Sequence, residues 1–214
     1  MAPSTAHRLL TTLVRHGFVT RDSESRAYRA GPTLVELGLA VLERDGIRDR
    51  ARPVIEGLRD RLEETVSIAI LDGVEVIVVD AALPNRLVVV GPRAGQRSQA
   101  HWNASGKALL AELDDVEVRR RYPKERLPTA TARSISTRTA LLEEIGRVRA
   151  AGFATQFEEI EADAGAVGAV IRNADGRAVA GLAVTCLVSR IAPRVEQVAA
   201  EARRACAEIS ARLA

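Results

Sequence analysis

The sequence predicts an α+β fold in three parts: a basic helix-and-hairpin unit over residues 1–31, a connector helix over 32–46 and an antiparallel-sheet domain over 47–214. Three observations predict it. Apolar residues recur at helical spacing from Ala6 to Val14 and again from Leu34 to Leu62. From Thr65 the period drops to two, the period of a strand. Beyond that point strands are followed by helices and then by strands again, an order that builds an antiparallel α+β domain.

In the first unit Ala6, Leu9, Leu10, Leu13 and Val14 stand at i, i+3, i+4, i+7 and i+8, one buried stripe of an amphipathic helix. Pro3 and Ser4 suit a helix start, and Gly17 suits the residue just past its end. The opposite face carries Thr5, Arg8, Thr12 and Arg15. The short apolar run Phe18-Val19, the polar tip Asp22-Ser23-Glu24-Ser25 and the return Arg26-Ala27-Tyr28-Arg29 read as a small hairpin. This is how a winged helix-turn-helix offers its recognition helix and wing to DNA. Residues 1–31 hold five arginines against two acids, and the rest of the chain balances to zero, so the net +3 sits on the piece that would face phosphates. A helix with a merely solvated basic face has the same period; the helix–glycine–hairpin order and the segregated charge favour the DNA-reading unit.

Composition bounds the remainder. An apolar fraction of 47% with 28% charged residues describes a globular chain with a real core, and with only 3% aromatics that core must be Val, Leu, Ile and Ala. Cys186 and Cys206 form no C-x-x-C, and no His stands at metal spacing, so they read as buried thiols of a reducing cytosol; no metal and no cofactor are expected. No apolar run approaches membrane-spanning length, which predicts a cytoplasmic protein without a membrane partner.

Leu34 to Arg44 is expected to be a helix with Leu34, Leu37 and Val41 on a wide apolar face, and Arg48 to Glu64 a second with Ala51, Val54, Ile55, Leu58 and Leu62 on one stripe. A connector or dimer seam and ordinary packing within a domain fit this pattern equally. Val66, Ile68 and Ile70 alternate, Asp72-Gly73 turns, and Glu75 to Asp80 returns as a second strand. Leu87-Val88-Val89-Val90 reads as a third, closed by Gly91-Pro92. Helices are expected over Ser105–Leu113, Asp114–Arg121 and around Leu141–Val148, and strands over Phe153–Glu159, Ala166–Arg172 and Arg177–Cys186. A last helix begins near Pro193, with Val195, Val198, Ala199, Ala202, Cys206, Ile209 and Leu213 as its stripe. Cys206 on that stripe is a core thiol.

Gln99 to Leu110 gathers the only tryptophan, one of three histidines and one of two lysines just before a helix. Asn103 and Ser105 can cap it, and Gly106 would let an anionic ligand approach its first N–H groups; an ordinary N-cap with a solvated Lys107 explains the same residues. Glu158-Glu159-Ile160-Glu161-Ala162-Asp163 runs off a strand into a loop. Paired carboxylates can do acid/base work, but four acids on a strand-end loop are more often solvated, and nothing in the sequence brings Glu158 or Glu159 to His101. With no legible nucleophile or metal set, no catalytic residue is named and no enzyme is expected.

The chain resembles the IclR family of bacterial transcriptional regulators along nearly its whole length. The matching stretches are Pro3–Leu10, Tyr28–Pro32, Leu37-Gly38, Ala51–Pro53, Glu64–Val66, Ala100-His101, Gly106–Ala111, Gly152–Ala154, Glu158-Glu159 and Ala178–Thr185. The resemblance implies a winged helix-turn-helix and a GAF-like effector-binding domain, in homodimers or homotetramers that bind double-stranded operator DNA. It also implies an effector, a small organic acid or aromatic metabolite. By the same resemblance Ser4, Thr5, His7, Arg8, Thr12, Arg15, Arg26 and Arg29 face DNA. The effector pocket would be lined by His101, Trp102, Asn103, Ala104, Ser105, Gly106, Gln156, Glu158, Glu159 and Ala166. The family carries about two further helices ahead of the position of Met1. The expectation is therefore a late start or a clipped chain that binds effector and self-associates without holding an operator; a free-standing effector-binding and oligomerisation module is the alternative. Gln156 and Ala166 replace an acid and a cysteine often found in the family, and Trp102 stands where a small residue is usual. These departures predict a flatter or larger, partly aromatic ligand rather than a small keto acid.

Overall fold

The computed structural model describes residues 2–213, with the side chains of Pro3 and of residues 39–45 left aside. It divides into two compact units, Met1–Ile47 and Arg48–Ala214.

The first unit holds α1 (Pro3–Arg15), the hairpin β1 (Val19–Arg21) and β2 (Tyr28–Ala30), and α2 (Pro32–Asp45). Gly17, at φ +72°, ends α1 and turns the chain into β1. The two strands pair antiparallel, Val19 opposite Ala30. Asp22 builds the hairpin tip: its Oδ1 accepts from the N–H groups of Glu24 and Ser25 and from the Ser25 hydroxyl, and these donors, Ser25 foremost, hold its carboxyl below the usual range. Thr33 fastens α2 to this unit by donating its hydroxyl to the His16 carbonyl. The predicted stripe of α1 is not buried. Leu9 (52%), Leu13 (40%) and Val14 (37%) are exposed, and only Ala6 and Leu10 are half-covered, because no other layer of the described unit lies against them. Leu34, Val35 and Leu37 of α2 are exposed as well; Val41 lies outside the described side chains.

The second unit takes in α3 (Ile47–Leu62) from Arg48 onward and carries six strands: β3 (Thr65–Asp72), β4 (Glu75–Ala82), β5 (Arg97–Gln99), β6 (Ala154–Phe157), β7 (Ala164–Arg172) and β8 (Ala178–Leu187). They form one antiparallel sheet in the order β5-β4-β3-β8-β7-β6. Between the strands run α4 (Ala104–Leu110), α5 (Asp115–Arg121) and α6 (Arg138–Ala151); after β8 come α7 (Val188–Ile191) and α8 (Val195–Arg212). Helix α4 packs on β7, β8 and β3, and α8 packs on β7 and β8. The α3 stripe is buried as expected, Ala51, Ile55 and Leu58 completely.

One predicted strand is absent. Residues 87–90 form no ladder, Leu87 is fully exposed, and the sheet edge is taken instead by Arg97–Gln99, which pairs with Glu75–Ile77. Val90 gives its carbonyl to the Thr65 hydroxyl at 2.7 Å, and Gly91 follows at φ +140°. A residue so placed ends a ladder rather than continuing one.

Both cysteines are buried in the second unit, and burial pushes Cys186 up to about 11 and Cys206 up to about 12. Because the thiolate is the reactive form, native protein should leave both unmodified by Ellman's reagent at pH 8 over minutes, and urea should release both. Fast labelling of the folded protein would contradict this packing.

Candidate functional site

A cavity of about 380 Å³ opens on the sheet face that carries α4, a volume suited to a small ligand. The sheet register shows how it is built. Ala166 pairs with both Gln156 and Thr185, and Ala183 pairs with Ser67, so β6, β7 and β3 each send one of these side chains, and β8 two, to the same face. Ser67, Thr185, Gln156, Ala166 and Ala183 line the floor, Val90, Gly91 and Pro92 one wall, and Ile160 and Glu161 another.

The start of α4 closes the cavity. Asn103 caps the helix, its Oδ1 accepting from the Ser105 N–H at 3.0 Å and the Ser105 hydroxyl at 2.7 Å. Two glycines let this turn lie directly on the sheet. A Cβ on Gly168 would fall 2.5 Å from the Ala104 carbonyl carbon, and one on Gly181 would fall 2.8 Å from Ser105 Cβ. The lining is mainly neutral: hydroxyls of Ser67, Ser98, Ser105 and Thr185, amides of Gln96, Asn103 and Gln156, and apolar side chains, with the Glu161 carboxylate on one wall. Among the described residues Arg97 is the one cation on it, and its guanidinium is held by Asp72 at 2.5 Å and Glu75 at 3.0 Å.

Of the residues expected in the pocket, Asn103, Ala104, Ser105, Gln156 and Ala166 line it, while His101, Trp102, Gly106, Glu158 and Glu159 do not. His101 is fully buried behind the cavity; its Nε2 lies 3.0 Å from the Pro128 carbonyl, which also accepts from Trp102 Nε1 at 3.0 Å. Burial holds the imidazole below its usual pKa, with Lys107 adding to the effect, so it stays neutral at pH 7. Trp102 is therefore anchored away from the cavity, and the indole that favoured an aromatic ligand does not line it. Gly106 is spent on packing against the Ala100 backbone. Glu158, at φ +57°, turns outward to Arg133, 2.8 Å away.

Glu159 turns inward, and Lys107 is not solvated. The lysine is 1% exposed, with Nζ 2.6 Å from Glu159 Oε1 and 3.3 Å from Glu144 Oε1. Burial pushes the Glu159 carboxyl above the usual range in spite of Lys107, and its Oε2 has no hydrogen-bond partner. Glu144 is held below the usual range: burial opposes this, but Lys107 and Arg147 outweigh it. Sequence reading missed this triad, and it missed Ser67, Arg97, Ser98 and Thr185, which stand on strands with no motif of their own.

In the first unit the residues expected at DNA are all solvent-exposed. Ser4, Thr5, His7, Arg8, Thr12 and Arg15 are all exposed on α1, and Arg26 and Arg29 are exposed on the hairpin. Thr12 returns its hydroxyl to the Arg8 carbonyl, and Arg29 lies 3.9 Å from Asp22. Among the described residues no cluster of His, Cys, Asp and Glu could hold a metal ion, and no described helix is long and apolar enough to cross a membrane.

Comparison with known proteins finds two matching family models. Residues 39–211 match the model of the bacterial transcriptional regulator IclR C-terminal region, and residues 1–23 match that of the IclR helix-turn-helix domain. The regulator BhcR of Paracoccus denitrificans (strain Pd 1222) is 34% identical over 86% of this chain, which spans 66% of BhcR. The crystal structure of Thermotoga maritima IclR superposes with a TM-score of 0.78 at 28% identity, over all of this chain and 86% of the other. An IclR homologue from Microbacterium hydrocarbonoxydans, crystallised with 4-hydroxybenzoate, gives 0.85 at 26% identity, over all of this chain and 86% of its own.

Proposed function

The chain belongs to the IclR family of bacterial transcriptional regulators, and we propose that it is a ligand-responsive regulator whose effector sits in the cavity between α4 and the sheet. That cavity carries the reading: it lies wholly within the region that matches the family's C-terminal part, and its hydroxyls and amides suit a small organic ligand that presents several polar groups. Residues 1–31 are the DNA-facing unit in this reading, with only a weak hold on double-stranded operator DNA while Leu9 and Leu13 of α1 stay uncovered, 32–46 connect, and 47–214 bind the effector. Ser4, Thr5, His7, Arg8, Thr12 and Arg15 enter or flank the groove, and Arg26 and Arg29 reach phosphates from the wing. The exposed Leu34, Val35 and Leu37 on α2 give copies of the chain an apolar surface to bury, as a homodimer or homotetramer requires. Such a regulator works in the cytoplasm, where its operator lies, and needs no catalytic residue.

The test is calorimetry with 4-hydroxybenzoate and a panel of small organic and aromatic acids, on the wild-type chain and on Ala166→Phe, which places a phenyl ring in the cavity. The expected result is a ligand that binds the wild type and loses at least about tenfold in affinity to the filled variant. A ligand that binds both equally would place the effector elsewhere. For DNA, the promoter beside the protein's own gene is the probe: Arg8→Ala and Arg29→Ala should each lower the slope of log affinity against log salt by about one. An unchanged slope would remove that residue from the phosphate contacts.

A further inference from the structure

Only Glu63 and Glu64 separate the end of α3 from the start of β3, and three consecutive residues at this junction are tied to the walls of the cavity or to what holds them. Glu63 makes the turn at φ +54°, its N–H donating to the Arg59 carbonyl at 2.6 Å, and its carboxylate pairs with Arg86. Glu64 is 1% exposed and accepts Arg190 Nη2 on one carboxylate oxygen and Arg194 Nη2 on the other, each at 2.8 Å. Thr65, equally buried, donates its hydroxyl to Val90.

These ties lead to opposite sides of the cavity. Arg86 and Val90 belong to the strap over residues 83–92, the first part of the connection from β4 to β5, and Val90, Gly91 and Pro92 form one wall. Gly91 lies so close to Thr65 that a Cβ there would fall 2.5 Å from Thr65 Cγ2. On the other side Arg190 belongs to α7, and α7 hangs on the second wall. The Val188 N–H donates to the Asp163 carbonyl at 2.7 Å, and Gly165 packs against Ile191 beside cavity-lining Ala164. A shift of either wall therefore reaches the last turn of α3 through a buried polar contact. A buried carboxylate with a guanidinium on each oxygen does not slide: its contacts are made or broken, which favours two discrete arrangements over a continuum.

Resting on the reading of the cavity as the effector site, we infer that the Glu63–Thr65 junction passes cavity occupancy to α3, with Glu64 and Thr65 as positioning residues. Helix α3 follows α2 directly in the chain, separated only by Gly46, so it stands in sequence between the effector region and the DNA-reading unit. Ligand acts by favouring one arrangement of the strap, and Thr65 makes that preference felt at the helix.

The test is hydrogen–deuterium exchange on the whole 214-residue chain, with Ala166→Phe standing in for an occupant and peptides from α8 as the internal reference. Filling the cavity should slow exchange in 83–92 and change it in 47–62, each by about fivefold, the reach of one net hydrogen bond. Adding Thr65→Val should keep the effect on the strap and return α3 to the wild-type rate; Thr65→Ser, which keeps the hydroxyl, should restore the coupling. Arg194→Gln, at a partly exposed side chain, is the second way to cut the junction if Thr65→Val does not fold. The inference is overturned if α3 is unmoved when the strap slows, or if it responds equally with Val at position 65. Failure of the effector reading has a separate sign: ligand binding in calorimetry that survives Ala166→Phe.

Discussion

Replacing Lys107 with Met is expected to cost the second unit about 3 kcal/mol, because it leaves Glu159 buried without its counter-charge. The side chain is 1% exposed and Glu159 11%, so water screens the pair little. Glu144 retains Arg147 at 2.7 Å, which places the loss mainly at Glu159. Urea unfolding of wild type, Lys107→Met and the double variant Lys107→Met/Glu159→Met checks this. The double variant should recover most of the loss, since two well-packed thioethers carry no stranded charge. The pH dependence has a definite sign. Burial already raises the Glu159 carboxyl above its ordinary 4.5, and removing Lys107 raises it further. Between the unfolded and folded pKa values the folded state then holds more protons than the unfolded one, so stability falls as pH rises through that window. Lys107→Met should therefore lie nearer to wild type at pH 5 than at pH 8. A deficit of equal size at both would mean that Glu159 is not the stranded group.

That triad also marks where the sequence stopped being legible. The long helices, the β3–β4 and β7–β8 hairpins and the cap at Asn103 follow from local period and turn chemistry, which are properties of neighbouring residues. Lys107 and Glu159 are 52 residues apart and meet only because α4 lies across β7, so no window of sequence contains their contact. The reading of Lys107 as solvated rested on what lysines usually do. The β5 edge was missed for a different reason: Arg97-Ser98-Gln99 has none of the β-branched character of Leu87–Val90, yet it is the stretch that meets Glu75 in register. Half of the expected pocket residues line the cavity. Those that do stand at the cap of α4 and on facing strands; His101 and Trp102, two residues and one residue earlier than Asn103, sit in a short helical turn that aims both rings at Pro128.

Gly168→Ala should affect both fold and site, since the added methyl has nowhere to go. It would meet the Ala104 carbonyl carbon at 2.5 Å and the Ser105 nitrogen at 2.7 Å, and both are backbone atoms of the turn that Asn103 caps. A flexible side chain could rotate away; a capped helix start can only lift from the sheet. Overpacking of this kind costs about 1–3 kcal/mol. The lifted residues are Ala104 and Ser105, which line the cavity, so ligand affinity should fall by about tenfold while the sheet, held by its own ladders, persists. Gly146→Ala supplies the contrast. Gly146 lies in α6, exposed, with no atom within 4 Å of an added Cβ, and the substitution should stabilise by about 0.5–1 kcal/mol through helix propensity alone. Chemical denaturation of both variants, with calorimetry on any ligand that binds the wild type, separates the two effects. If Gly168→Ala matched wild type in stability and affinity, α4 would not rest on β7 as closely as these distances require, and the cavity would lose the rigid wall that makes it a site.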